Sequence, residues 1–292
     1  MGYLCIIISL FSGAFKGFIG QKISGRVDTA KKSAFVNLLR MAICIMISSL
    51  LLLPEIIGGS FVFDWQALVF GIMSGVTLSA FVISWMLAVR EGAYTLVSVA
   101  QMFGVVVTIL CALLVFRDPI SPWQILAIGI LIISVLVMVS YSKGVKGKIT
   151  PKAIFLLVLC GGSSGLNDFS MKLFVAYSSA NVTLLNLLTF AIAFFFLIGV
   201  FVVDGGKEIV DTKELFRKNW FPILLMAACL YLNSYFKAFS NNYFSPVILY
   251  PIYQAGGLIL SATMSAAFFK EKITLRCIIG LALAFVAILL LK

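Results

Sequence analysis

The sequence contains no histidine. That excludes a histidine-based catalytic triad, a histidine-ligated zinc and an imidazole proton relay. Charge is scarce as well: 11% of the 292 residues are Asp, Glu, Lys or Arg, where a soluble domain carries about 25%. The six cysteines, Cys5, Cys44, Cys111, Cys160, Cys229 and Cys277, lack paired spacing and all fall in apolar runs. They read as small packing residues rather than disulfides or metal ligands. No phosphate-binding loop is present: "GGSSG" at 161–165 lies inside an apolar run and lacks the GxxxxGK(S/T) order. The scattered serines have no paired base. An enzyme is therefore not expected, nor a cofactor, nor a metal.

What the chain does have is hydrophobicity: 62% apolar residues, 26 phenylalanines and a mean hydropathy of +1.13. A single soluble core is excluded by these values. A helix needs about 20 apolar residues to cross a bilayer. Ten such segments fill the chain, near 2–20, 30–53, 65–89, 93–116, 122–142, 152–177, 181–203, 219–239, 245–269 and 274–291. The expected fold class is thus an all-α membrane protein of ten transmembrane helices. The first segment is expected to stay as a helix rather than be cleaved as a signal peptide, because nothing positive precedes it and Lys16 interrupts it late.

The net charge of +11 comes from 22 basic residues, and their placement decides what it means. Lys22, Arg26, Lys31 and Lys32 follow the first segment; Lys143, Lys146, Lys148 and Lys152 lie between the fifth and sixth; Lys207, Lys213, Arg217 and Lys218 lie between the seventh and eighth. Arg90, Lys270, Lys272 and Arg276 share that side, against Arg117 and Lys292 on the other. Such asymmetry is the positive-inside pattern. It predicts a multi-pass protein of the plasma (inner) membrane with both chain ends outside, and the basic balance implies no nucleic-acid partner.

Sliding the chain against itself by 153 residues aligns "QMFGVVVTILCALLVFRDPIS" (101–121) with "QAGGLILSATMSAAFFKEKIT" (254–274) without a gap. Gln101 meets Gln254, Gly104 meets Gly257, and Arg117-Asp118 meets Lys270-Glu271. The match joins a rare polar residue, a helix-end charge pair and the next helix start in one register. Two halves follow, 1–146 and 147–292. Five helices per half is odd, so the second half must enter the membrane from the opposite side, as an inverted repeat.

These features resemble the drug/metabolite transporter superfamily, in its ten-helix EamA-like branch. The likeness covers the whole chain: its size, the five-plus-five repeat, the glycine-rich first and sixth segments ("SLFSGAFKGFIGQK", "LCGGSSGLNDFSMK") and the "FRDPIS" and "FKEKIT" links. It implies a central cavity lined by helices one, three, four, six, eight and nine, with five and ten packed behind, and transport of small metabolites by alternating access. Many members keep both ends in the cytoplasm, whereas the lysine count here places both outside.

Within that frame Gln101 and Gln254 fall near the midplane, where a buried amide needs partners from a neighbouring helix, water or a substrate. Asn233 and Tyr235 in the eighth segment, Tyr250 and Tyr253 in the ninth, and Asn167 in the sixth complete the candidate substrate site. Pro251 can kink the ninth helix one turn before Gln254. Asp168 is the one acidic residue inside a span, and an intramembrane carboxylate pairs, faces a cavity or carries protons. Lys172 lies one helical turn on, and Lys237 reaches a similar depth, so either lysine can pair with it. Lys16 and Arg40 read as basic chains snorkelling to the headgroups. Trp85 and Tyr94 read as interfacial anchors. The stripes Gly104-Thr108-Ala112, Gly257-Ser261-Ser265, Gly71-Gly75-Ser79 and Gly280-Ala284 read as helix-packing faces.

The expected function is a secondary active transporter of a small polar or amphipathic metabolite, its partners that solute and the lipid bilayer, as monomer or homodimer. A flippase of a lipid or lipid-linked precursor is the alternative, and a membrane scaffold or enzyme subunit the third.

Overall fold

The computed structural model describes the backbone of residues 1–25, 27, 29–91, 94–117, 121–142, 151–203, 209–269 and 275–290. The "FRDPIS" and "FKEKIT" links fall largely outside the described residues, as do Arg26, Lys143, Lys146, Lys148 and Lys207 and the side chains of Arg90, Tyr94, Lys213, Ser261, Ser265, Arg276, Cys277 and Ala284. Ten helices run in order: α1 (Gly2–Ser24), α2 (Ala30–Ile57), α3 (Trp65–Glu91), α4 (Tyr94–Phe116), α5 (Pro122–Ser142), α6 (Pro151–Tyr177), α7 (Val182–Val203), α8 (Ile209–Ser240), α9 (Pro246–Phe269) and α10 (Leu275–Leu290). There is no strand among the described residues.

Local chemistry sets the helix ends. Thr29 Oγ1 accepts from the Lys32 N–H at the start of α2, and Asp64 Oδ1 from the Ala67 N–H at the start of α3. Ser121 and Gln124 form a reciprocal capping box around Pro122, each accepting from the other's backbone N–H. α5, α6 and α9 all open on proline, whose missing N–H is an orphan donor there in any case. α8 begins ten residues before the expected span, since no glycine or proline stops it between 209 and 221. It bends at Asn219 (φ −130°, ψ 16°), just before Pro222 removes a backbone donor.

The helices are apolar on all sides, and the molecule is accordingly turned inside out. Leu114, Val158 and Phe195 are 81%, 69% and 68% exposed, while Ser9, Asn37, Ser74, Asn167, Asp168 and Asn186 are buried. A hydrophobic exterior around a polar interior suits lipid as solvent. Among the described residues six helices are long and apolar enough to cross a membrane: α1, α2, α3, α6, α7 and α8.

α1 packs on α8, α3 on α6, α2 on α7 and α5 on α10; α4 packs on both α6 and α9. Three of the small-residue stripes serve these contacts. A Cβ on Gly104 would lie 2.6 Å from the Gly161 carbonyl oxygen, and one on Gly165 would strike the Gly104 carbonyl, so backbone meets backbone between α4 and α6. Thr108 Oγ1 donates across this seam to the Gly165 carbonyl at 2.9 Å. Gly71 and Gly75 seat Leu188 and Ile192 of α7, and Ser134 of α5 donates to the Gly280 carbonyl of α10. Gly257 departs from the expected packing role: a Cβ there meets nothing within 4 Å.

At the end of the bundle carrying the α2–α3 and α6–α7 links, Asp64 ties the two together. Its carboxylate accepts from Ser178 Oγ, Ser179 Oγ and the Ser179 N–H as well as from Ala67, and Asn181 Nδ2 donates to Glu55. Burial acts to raise the Asp64 carboxyl, but these hydrogen bonds outweigh it and hold the group below its ordinary value. A depressed carboxylate contributes stability above its unfolded pKa of about 3.9, and that stability fades as pH falls through the folded value. Asp64→Ala is expected to cost about 1 kcal/mol of stability at pH 7. Thermal unfolding in detergent checks this, and the gap between variant and parent should narrow below about pH 4.

Candidate functional site

A cavity of about 150 Å³ lies in the middle of the bundle, lined by α1, α3, α4, α6, α8 and α9. α2 and α7 add one side chain each, Arg40 and Phe190, while α5 and α10 add none among the described residues. An engineered cavity of about 150 Å³ in another protein holds benzene. The space therefore suits a small-molecule solute.

Gln101 and Gln254 both line it. Gln101 stands seven residues into α4 and Gln254 eight residues into α9, so they lie about 10 and 12 Å from opposite ends of the bundle at about 1.5 Å per residue. Gln101 reaches the Cys160 thiol of α6. The Gln254 amide has no hydrogen-bond partner among the described residues.

Asn167 and Asn233 also face the cavity, but each is partly spoken for. Asn167 Oδ1 accepts from Ser74 Oγ at 2.9 Å, joining α3 to α6. Asn233 Nδ2 donates to the Ser9 carbonyl and hydroxyl, and Ser9 Oγ donates back to the Asn233 carbonyl, joining α1 to α8. These bridges leave the Asn167 amino group and the Asn233 carbonyl oxygen for a guest.

Asp168, with 3% of its side chain exposed, accepts from Lys237 Nζ at 2.6 Å. The lysine is the partner from α8, not Lys172, although Lys172 has the helical spacing. Lys172 turns away from the cavity: its Nζ donates to the Asn241 carbonyl and sits 5.8 Å from the Phe116 ring centroid. The Lys237 ammonium lies over the Tyr250 and Tyr253 rings, at 5.6 and 5.3 Å from their centroids. Tyr253 lines the cavity. Tyr250 does not; it is fully buried beneath the pair, its hydroxyl reaching the Asp168 carbonyl oxygen and Asn241 Oδ1. Asn241, just past α8, thus fixes Tyr250, Lys172 and, through its own amide, the Lys237 carbonyl. Nothing in the local pattern "SNNYFS" singles it out.

Tyr235 also stands away from the cavity lining. It stacks on Tyr231 and Phe239 in the apolar layer that α8 shares with α2 and α7. The sequence puts it two residues from Asn233, and two residues along a helix is about 200° around it, which turns it to the opposite face.

Two side chains expected at the headgroups belong to the cavity instead. Lys16 lies eight residues from the end of α1 and Arg40 ten residues into α2, about 12 and 15 Å deep, and both line the cavity. Arg40 is 3% exposed and donates to Asn37 Oδ1, while its Nε has no partner. Trp85, expected at an interface, is packed over Gly20 and lines the same cavity.

Residues 1–140 match the EamA-like transporter family. That family belongs to the drug/metabolite transporter superfamily, whose EamA-like members are transporters. No curated protein matches the chain. Solved structures do: one crystal structure, titled only as that of a protein, aligns with a TM-score of 0.70 at 12% identity, over 98% of this chain and 94% of its own. At that identity the likeness is one of fold, and it extends beyond the EamA-like region to the second half.

Proposed function

We propose that the chain is a ten-span secondary active transporter that carries a small polar metabolite through the central cavity by alternating access, with residues 1–146 and 147–292 as inverted halves. The observation that carries the reading is the cavity itself, lined mainly by six helices, three from each half, with an amide from each half on its wall. The helix contacts support the repeat. Adding five to each helix number turns α1 on α8 into α6 on α3, and α4 on α6 into α9 on α1, while α2 on α7, α5 on α10 and α4 on α9 map to themselves.

The two halves are not packed alike. The α4–α6 seam is closed backbone to backbone at Gly104 and Gly165, whereas at Gly257 of α9 a Cβ meets nothing within 4 Å. Equivalent helices in unequal contacts are what an alternating-access cycle requires, each half adopting the other's arrangement in turn. The cavity size favours a soluble metabolite over a lipid or lipid-linked precursor. The basic links supply the orientation, with both ends outside the plasma membrane.

In proteoliposomes, uptake of the transported solute should saturate. Gln101→Ala and Gln254→Ala should each weaken it about tenfold, the loss of one hydrogen-bonding group from the site. Unchanged uptake in both folded variants would remove the central site.

A further inference from the structure

We infer that the solute is a small organic oxyanion, a dicarboxylate or a monophosphate ester, bound between Lys16 and Arg40. This rests on the cavity being the solute site, and it names the class of molecule that site takes.

The argument is one of charge balance. Among the described residues the lining holds three basic side chains, Lys16, Arg40 and Lys237, against one carboxylate, Asp168. Asp168 is already committed to Lys237 at 2.6 Å. Lys16 and Arg40, on α1 and α2, remain without an ion-pair partner among the described residues. Lys16 has no hydrogen bond or ion pair to any described residue; the charges within reach of it are Arg40 and Lys237, of its own sign, and Asp168, whose carboxylate is already paired with Lys237. Arg40 is held by Asn37 on one nitrogen, with its Nε buried and unpartnered.

A buried cation is costly unless it is paired, and a guanidinium stays protonated throughout the accessible pH range. The missing partner is therefore something that enters. An arginine fork and a nearby ammonium fit the planar or tetrahedral oxygens of a carboxylate or phosphate, which accept two parallel hydrogen bonds. A cation would meet two like charges, and a neutral solute would leave both uncompensated. Gln101 and Gln254 also line the cavity, and the Gln254 amide, without a partner among the described residues, is available to the rest of the molecule.

The test uses the full-length protein in detergent and in proteoliposomes, with succinate and glycerol phosphate as the two anionic probes. Succinamide serves as the neutral isostere and putrescine as the cation. Succinate or glycerol phosphate should raise the unfolding temperature and be taken up, and which of them does so separates carboxylate from phosphate recognition. Lys16→Gln and Arg40→Gln should each weaken binding about tenfold or more, and Arg40→Lys should restore part of it. Stabilisation by succinamide or putrescine equal to that by both anions would overturn the assignment, as would anion binding unaltered in folded Lys16→Gln and Arg40→Gln. Saturable uptake of a neutral or cationic solute would sink the anion assignment and leave the transporter standing. Anion binding through Lys16 and Arg40 without flux would do the reverse.

Discussion

Asp168→Asn should lower the stability of the protein by about 3 to 5 kcal/mol, the cost of breaking a buried ion pair by removing one member. The pair spans α6 and α8, with the carboxylate 3% and the lysine 13% exposed. Once the carboxylate is gone, the Lys237 ammonium keeps its desolvation cost and retains only the faces of Tyr250 and Tyr253. Lys237→Met should be comparably harmful for the complementary reason. The double variant, which leaves no uncompensated charge, should regain most of the loss, as replacing both members by groups of similar volume often does. Thermal unfolding in detergent gives the stability comparison. The same variants separate a structural pair from a proton carrier. A structural pair predicts that exchange and gradient-driven uptake fall together. Loss of gradient-driven uptake with exchange intact would assign the carboxylate to coupling.

The second large effect is expected at the α4–α6 seam. Gly165→Leu places a side chain where the Gly104 carbonyl already stands, and the obstructing atoms are backbone, which cannot rotate aside. Overpacking of a well-filled interior costs about 1 to 3 kcal/mol, and a leucine here belongs at or above the top of that range. The corresponding change in α9, Gly257→Leu, points into the open space of the cavity and should leave stability within about 0.5 kcal/mol of the parent. If α9 and α1 close in the cycle as α4 and α6 are closed here, that variant should nevertheless lose transport. Stability and initial uptake rate, measured on both variants, should dissociate for Gly257 and fall together for Gly165. Equal destabilisation by the two would contradict the asymmetry.

The contrast between the two glycines also marks where sequence reading succeeds and stops. Every expected segment corresponds to a helix, because an apolar run bounded by proline, glycine and capping residues specifies where a membrane helix begins and ends. α8 is the exception, extended to Ile209 because its polar first turns carry no stop signal. What the residues do not reveal is rotation. A helix that is apolar all round offers no stripe to show which face looks inward. Tyr235 and Asn233 therefore look equivalent in the chain, though one packs against aromatics and the other lines the cavity. Lys172 satisfied the spacing rule for an ion pair, but the rule says nothing about a lysine arriving from another helix. Lys16 and Arg40 have side chains long enough to snorkel, and the chain does not show which way they turn. Their cavity positions come from tertiary placement, in which α2 sends one long side chain past its neighbours.

The uncompensated charge in the cavity has an electrical side. In the proposed cycle the empty site, with Lys16 and Arg40 both protonated, faces first one compartment and then the other, carrying two more positive than negative charges through part of the membrane field. Each unit charge crossing the full potential exchanges about 2.3 kcal/mol per 100 mV. A bound dianion cancels that excess, so the loaded carrier is nearly silent to voltage. The return of the empty carrier is then the electrogenic step, and the membrane potential sets its pace.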